Sequence, residues 1–224
     1  MSCNFIELNL LPDSQSILLK LSECSIEDFL YLPEIEFSSF LGIGKRQKEF
    51  LAGRACAHEA LKRCNVGQAA TQFLSISDDR LPIWPTGVVG CISHSDYLAL
   101  ASVSCGSAVA LGVDLEPLIS NERAKDLREH ILSKHELSLV KGKSLGEAVT
   151  LIFSVKECIY KALYPICRTF LDFFDVRVVK IDDQAIYVKI EKNLGLNYPD
   201  CEVLKVRYSY SLDHVICWLS IVAS

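Results

Sequence analysis

From Leu111 to Pro117 the apolar residues Leu111, Val113 and Leu115 alternate with Gly112, Asp114 and Glu116. A period of two is the pattern of a strand with one buried face, so the spacing predicts that both carboxylates leave the same side of a sheet. Two acids on one face repel each other, and without a cation between them a pKa rises instead of two stable anions persisting. A hard divalent metal is the natural counter-charge. A solvated strand face before a proline turn explains either acid equally well when each is taken singly.

A second stretch supplies what such a site lacks. From Ala148 to Leu163 there is no Gly or Pro, and Leu151, Ile152, Val155, Ile159, Ala162 and Leu163 recur at helical spacing, with Pro165 as a stop signal. On that predicted helix Ser154, Glu157 and Lys161 share a face and Lys156 lies on the flank. Alone, Glu157 and Lys161 read as a surface ion pair. Beside the strand acids they complete a set of three carboxylates with lysines, which suits Mg²⁺ holding a phosphorylated substrate.

An earlier helix is predicted from Lys45 to Cys64, with Phe50, Leu51, Ala55, Ala57, His58 and Leu61 as its apolar stripe and Arg46 and Arg54 on one broad side. Two arginines so placed have the fork geometry to clamp a phosphate, although paired helix arginines are more often solvated or capped by a partner such as Glu49. Pro82, Pro85 and Gly87 make a rigid turn that presents Trp84 either to a flat ring or to the core. A short helix is expected after Ser25, and strands at 97–103, 175–180, 185–190, 203–210 and 214–222. His94, between two serines at a strand end, is a candidate phosphate donor. His58, His130, His135 and His214 have no such setting.

These residues carry a resemblance. Gly112-Val113-Asp114-Leu115-Glu116 together with Phe153-Ser154-Val155-Lys156-Glu157-Cys158-Ile159-Tyr160-Lys161 resembles the signature of the 4′-phosphopantetheinyl transferases, in the group that modifies carrier proteins of siderophore, nonribosomal peptide and polyketide synthesis. Arg80 to Gly87 followed by Gly90-Cys91-Ile92-Ser93-His94-Ser95 resembles that group's central segment, and Glu49 to Ala57 its N-terminal helix. The four blocks occur in the family's order. Cys91 and Cys158 depart from the serine, and the Ser or Ala, common at those places.

The resemblance implies an α+β fold of two similar halves related by a pseudo-two-fold, residues 1–110 giving the coenzyme A nucleotide and phosphate contacts and 111–224 the metal-binding and catalytic residues. A thin likeness between Arg54–Leu61 and Lys156–Leu163 supports the duplication. It implies that Asp114, Glu116 and Glu157 hold Mg²⁺, that Arg46, Arg54, Arg80, Ser93, His94, Lys156 and Lys161 bind coenzyme A, and that the two lysines also stabilise developing negative charge. Glu157 and Lys161 are the expected catalytic residues, with Glu157 the nearest candidate for general base. The implied reaction moves 4′-phosphopantetheine from coenzyme A to a serine of an apo acyl, peptidyl or aryl carrier protein and releases adenosine 3′,5′-bisphosphate. Arg123, Lys125, Arg128, Lys134, Lys141 and Lys143 are the expected basic face toward an acidic carrier helix. The alternatives are a non-catalytic coenzyme A-binding module and a metal-dependent pyrophosphohydrolase.

Composition excludes several other classes. The net charge is −5 and no basic stripe appears, against nucleic acid as the main partner. Ten cysteines show neither C-x-x-C nor zinc spacing, and no secretory signal precedes them, so a cytoplasmic protein without a disulfide framework is expected. The most apolar run, Leu98 to Val113, is broken by serines and glycines and reads as two strands around a turn at 105–107, not a membrane span. Two halves already enclose a cleft, so a monomer is the simpler expectation.

Overall fold

The computed structural model describes residues 3–38, 44–195 and 203–222; Cys201 lies outside them. Two antiparallel sheets divide these residues. The first holds β1 (Ile6–Leu8), β2 (Ser14–Lys20), β3 (Val89–His94) and β4 (Leu98–Ser104), in the order β1-β2-β4-β3. The second holds β5 (Ala108–Pro117), β6 (Val176–Ile181), β7 (Ala185–Ile190), β8 (Leu204–Ser211) and β9 (His214–Val222), in the order β5-β9-β8-β7-β6. The helices are α1 (Ile35–Ser38), α2 (Lys45–Arg63), α3 (Asn121–Ile131), α4 (Lys134–Leu139) and α5 (Leu145–Cys167). Each sheet carries one long helix: α2 lies on β2 and β4, and α5 lies on β5 and β9. The chain crosses from one sheet to the other at 105–107. The short helix expected after Ser25 is a single 3-10 turn, Ile26–Phe29, with Ser25 as its cap.

The sheets meet edge to edge. β3 and β5 each end their sheet, and side chains of β3 take the place of a backbone ladder between them. Cys91 Sγ lies 3.6 Å from Val113 O and accepts from Val113 N at 3.3 Å, while Ser93 Oγ accepts from Leu115 N at 3.3 Å. Residues two apart on a strand share a face, so Cys91 and Ser93 both reach β5. Around them Leu18, Leu98 and Leu100 from one sheet bury themselves against Leu111, Val113, Leu115 and Ile216 from the other.

The expectation of one buried face on β5 is therefore corrected. The Leu111 face packs on the first sheet, and the Gly112 face lies under α5, where an added Cβ would come within 2.2 Å of Cys158 O. Asp114 is consequently only 1% exposed.

The helix above it is longer than the sequence spacing predicts. Ser144 caps it: its hydroxyl accepts from Glu147 N at 3.2 Å, and Glu147 Oε2 accepts from Ser144 N at 2.8 Å. Pro165 does not stop it. The proline falls in the last turn, where its missing N–H forfeits one bond as the chain is about to leave the helix. The exit is made by Arg168 in the left-handed region (φ 50°), whose N–H donates to Tyr164 O at 2.9 Å.

In the first half, the fully buried Glu34 carboxylate accepts from Leu74 N at 2.8 Å and bonds His58 Nε2 at 2.9 Å, joining α1 to α2 and the 74 loop. Burial would raise this carboxyl, but the hydrogen bonds of His58 and the Leu74 N–H hold it below its ordinary value. A depressed carboxyl stabilises the fold above the unfolded-state value near 4.5, and that contribution is lost as pH falls through the lower folded value. Glu34→Gln is expected to flatten the acid limb of the stability curve, read by urea melts from about pH 3 to pH 6. Gly112→Ala should destabilise by about 1–3 kcal/mol or more, because the contact it creates is with backbone and not with a movable side chain; chemical denaturation measures this.

Candidate active site

Three elements converge at Asp114. Lys161 Nζ, from α5, donates to Asp114 Oδ1 at 2.6 Å and to Ser93 Oγ at 2.8 Å, and Ser93 Oγ, from β3, donates to the same carboxylate oxygen at 3.0 Å. Burial works against the Lys161 ammonium, yet Asp114 outweighs it and holds the lysine pKa above its ordinary value. Asp114 Oδ2 is buried with no hydrogen-bond partner among the described residues.

Two more carboxyls feel this charge. Burial, then Asp114, pushes the half-buried Glu116 up to about 7, with Lys161 opposing. Burial and then Asp114 also raise Glu157, which is half-buried on α5. The cluster is thus short of positive charge, and its donors are hard carboxylate oxygens, one of them orphaned. That chemistry fits a hard divalent cation. With Lys161 on Asp114, however, no three His, Cys, Asp or Glu side chains among the described residues are grouped closely enough to hold an ion as they stand.

Beside the cluster lies a cleft of about 930 Å³ lined by Arg46, Glu49 and Arg54 of α2, Arg80 and Pro82 of the connecting loop, and His94 at the end of β3. Arg46 and Arg80 are exposed on it. His94 Nδ1 stands 3.8 Å from Glu49 Oε2, and desolvation, with Lys161 and Arg46, keeps its pKa below the ordinary value. The structure thus brings together four of the basic residues predicted for coenzyme A, though not as two equivalent arginines. Arg54 is 4% exposed; its Nη1 donates to Leu74 O at 3.0 Å, its guanidinium lies over the Phe50 ring, and burial lowers its pKa to about 10. It forms the wall of the cleft, so the two arginines expected as a phosphate fork both line it but differ in exposure, Arg46 open and Arg54 buried.

Lys156 departs further. Its ammonium, expected near the carboxylates, is buried against Glu136 Oε1 at 2.9 Å and donates to Ile131 O and Phe173 O, each at 2.8 Å. Ser154, expected on the face of Glu157, is fully buried. Trp84 packs over Gly90, where a Cβ would come within 2.6 Å of the indole, in a mostly apolar pocket of about 390 Å³ that Lys161 also lines and that shares Pro82 and Ile92 with the cleft. Sequence reasoning missed Glu136, although the Ser133-x-x-Glu136 capping box signals a helix start there. It also missed the buried His214, whose Nε2 bonds Ser95 Oγ at 3.0 Å across the two sheets and which no local pattern marks.

Comparison with known proteins decides the family. Residues 42–104 match the 4′-phosphopantetheinyl transferase N-terminal domain, and residues 110–217 match the 4′-phosphopantetheinyl transferase superfamily domain. The chain belongs to the 4′-phosphopantetheinyl transferase superfamily. Enterobactin synthase component D of Escherichia coli (strain K12) is 32% identical over 170 residues, 75% of this chain and 78% of that protein. The Salmonella typhi protein of the same name is 39% identical over 137 residues, 60% of this chain and 55% of the relative's length. The 4′-phosphopantetheinyl transferase Npt of Nocardia iowensis is 29% identical over 164 residues, 70% of each. The phosphopantetheinyl transferase family takes coenzyme A as substrate and acts on carrier proteins. Among the described residues no helix is long and apolar enough to cross a membrane.

Removing the cation from Asp114 tests the geometry without any assay of activity. Lys161→Met should destabilise by about 3 kcal/mol in urea melts, the lower end of the range for breaking a buried pair, because Lys161 keeps 28% exposure.

Proposed function

We propose that this transferase works with Mg²⁺ held by Asp114, Glu116 and Glu157, with the coenzyme A phosphates and nucleotide end in the cleft bordered by Arg46, Arg80 and His94. The observation that carries the reading is the buried Asp114 carboxylate, one oxygen orphaned and the other shared with Lys161, beside two carboxyls that burial and its charge push upward. A bound divalent ion supplies neutralisation of the pyrophosphate as its anhydride bond breaks.

The chain's own residues do the rest. Arg46, Arg80 and His94 orient the nucleotide end by charge-assisted hydrogen bonds. Ser93, held by Leu115 N, keeps Lys161 aimed at the cluster, where its ammonium stabilises charge developing on the transferred phosphoryl oxygens. Arg54 shapes the wall behind the phosphates. The nucleophile is a serine hydroxyl of the carrier, so no serine of this chain needs activation. Glu157 is the proposed proton acceptor, directly or through a water, since it is the α5 carboxylate nearest Lys161 in sequence and faces the same cluster.

For the carrier, Arg123, Lys125, Arg128, Lys134 and Lys141 are exposed on α3, α4 and the turn after them, while Lys143 is drawn over the Tyr210 ring. Arg128 and Lys134 flank a groove of about 580 Å³ floored by Leu132, Leu137 and Phe174, a form suited to an amphipathic acidic helix. Because two of the relatives are named as enterobactin synthase components, a siderophore-type peptidyl or aryl carrier is the proposed acceptor.

Incubation with coenzyme A, Mg²⁺ and an apo carrier, followed by intact-mass measurement, should show the carrier gaining one phosphopantetheine. EDTA or Glu157→Ala should abolish the gain, and Arg46→Ala or His94→Ala should raise KM for coenzyme A by about tenfold with a smaller change in kcat. Coenzyme A bound but no carrier type modified would support the binding module, and cleavage of coenzyme A without acceptor the pyrophosphohydrolase.

A further inference from the structure

Lys156 immediately precedes Glu157 on α5, yet every contact of its ammonium lies away from the carboxylate cluster. Nζ donates to Ile131 O and Phe173 O at 2.8 Å each and meets both oxygens of Glu136, Oε1 at 2.9 Å and Oε2 at 3.1 Å. An ammonium has three donors, and Ile131, Phe173 and Glu136 engage all three, so no N–H remains for a phosphate. Both side chains are 1% exposed.

Glu136 is equally engaged. Its Oε1 accepts from Val178 N at 2.9 Å, and its Oε2 from Ser133 N at 2.8 Å. The pair therefore ties α5 to the end of α3, the start of α4, the 3-10 turn at Phe173–Asp175 and strand β6. Lys156 and Phe173 also line a pocket of about 190 Å³ together with Glu157, Tyr160 and Phe170. One of the segments clamped by the pair, at Phe173 and Val176, thus walls the pocket beside the carboxylate that the proposed function uses.

We propose that Lys156 and Glu136 are a positioning pair for Glu157: each neutralises the other out of solvent, and together they fix α5 against the 131–136 and 173–178 segments, so that the Glu157 carboxylate is held toward Asp114. Neither touches substrate. The proposal rests on the transferase reading only for its activity readout.

A mutant cycle separates a positioning pair from a lysine that binds coenzyme A. Lys156→Met and Glu136→Leu each leave one buried charge unmatched, whereas the double variant leaves none. A positioning pair predicts that each single variant lowers kcat at least tenfold with KM for coenzyme A changed less than threefold. Hydrogen exchange at 173–178 should quicken in both, and the double variant should recover most of kcat and of the protection. A binding role for Lys156 predicts that Lys156→Met raises KM, that the double variant is no better, and that Glu136→Gln, by loosening the lysine, costs no activity; that pattern overturns the proposal. Should the double variant not fold, Glu136→Gln decides alone: lowered kcat at constant KM upholds the pair, and unchanged kcat refutes it. If the wild-type protein modifies no carrier, the transferase reading fails, while hydrogen exchange in the singles and the double still decides whether the pair holds the segments.

Discussion

A carboxylate that is 1% exposed is tolerable only if its charge is met locally, and at Asp114 the meeting partners are Lys161 and Ser93. The three groups come from β5, α5 and β3, so the electrostatic requirement of one side chain joins both sheets and the long helix. Ser93 is central because it does three things with one oxygen: it donates to Asp114, accepts from Lys161 and accepts from Leu115 N. Loss of that oxygen would loosen the sheet junction and the aim of the lysine together.

The same junction explains why a functional cleft opens here. Two sheet edges that paired by a backbone ladder would close into one continuous sheet. Joining them through Cys91 and Ser93 holds β3 off β5 by the length of a side chain, and the end of β3 delivers His94 to the cleft that α2 borders. A thiol at Cys91 serves this purpose adequately, being a small apolar group with weak donor and acceptor capacity. The replacement of a hydroxyl at this position thus falls in the joint between the sheets, away from the cleft.

Much of this was legible in the sequence because local rules and tertiary outcome agree. The helical spacing of Leu151 to Leu163 and the length of α2 are periodic signals that packing preserves, whereas the alternation around Asp114 marks a strand without showing that both its faces are buried. β2 was not legible: Ile17, Leu18 and Leu19 are buried consecutively in the middle of the first sheet, so no period-two pattern survives. Pro165 misled because a proline in a last turn sacrifices little. Arg54 and Lys156 misled for one reason. Composition and spacing place a cation on a helix but do not say whether a carbonyl or carboxylate waits on the neighbouring element, and here Leu74 O and Glu136 wait.

The two lysines of the α5 motif make that point in geometric terms. At 100° per residue, Lys161 lies about 40° from Glu157 around the helix, whereas Lys156 and Lys161 are about 140° apart. One helix cannot aim both at a single substrate. Lys161 faces β5 and its buried carboxylate; Lys156 faces α3, α4 and the 3-10 turn at Phe173–Asp175, where three acceptors surround it. Glu157 stands between them, so the helix presents its carboxylate to the cluster while being gripped from behind. A charged residue adjacent to a site residue therefore contributes by charge only if the helix turns it toward the site. Where it is turned away, its charge serves to hold the helix in place.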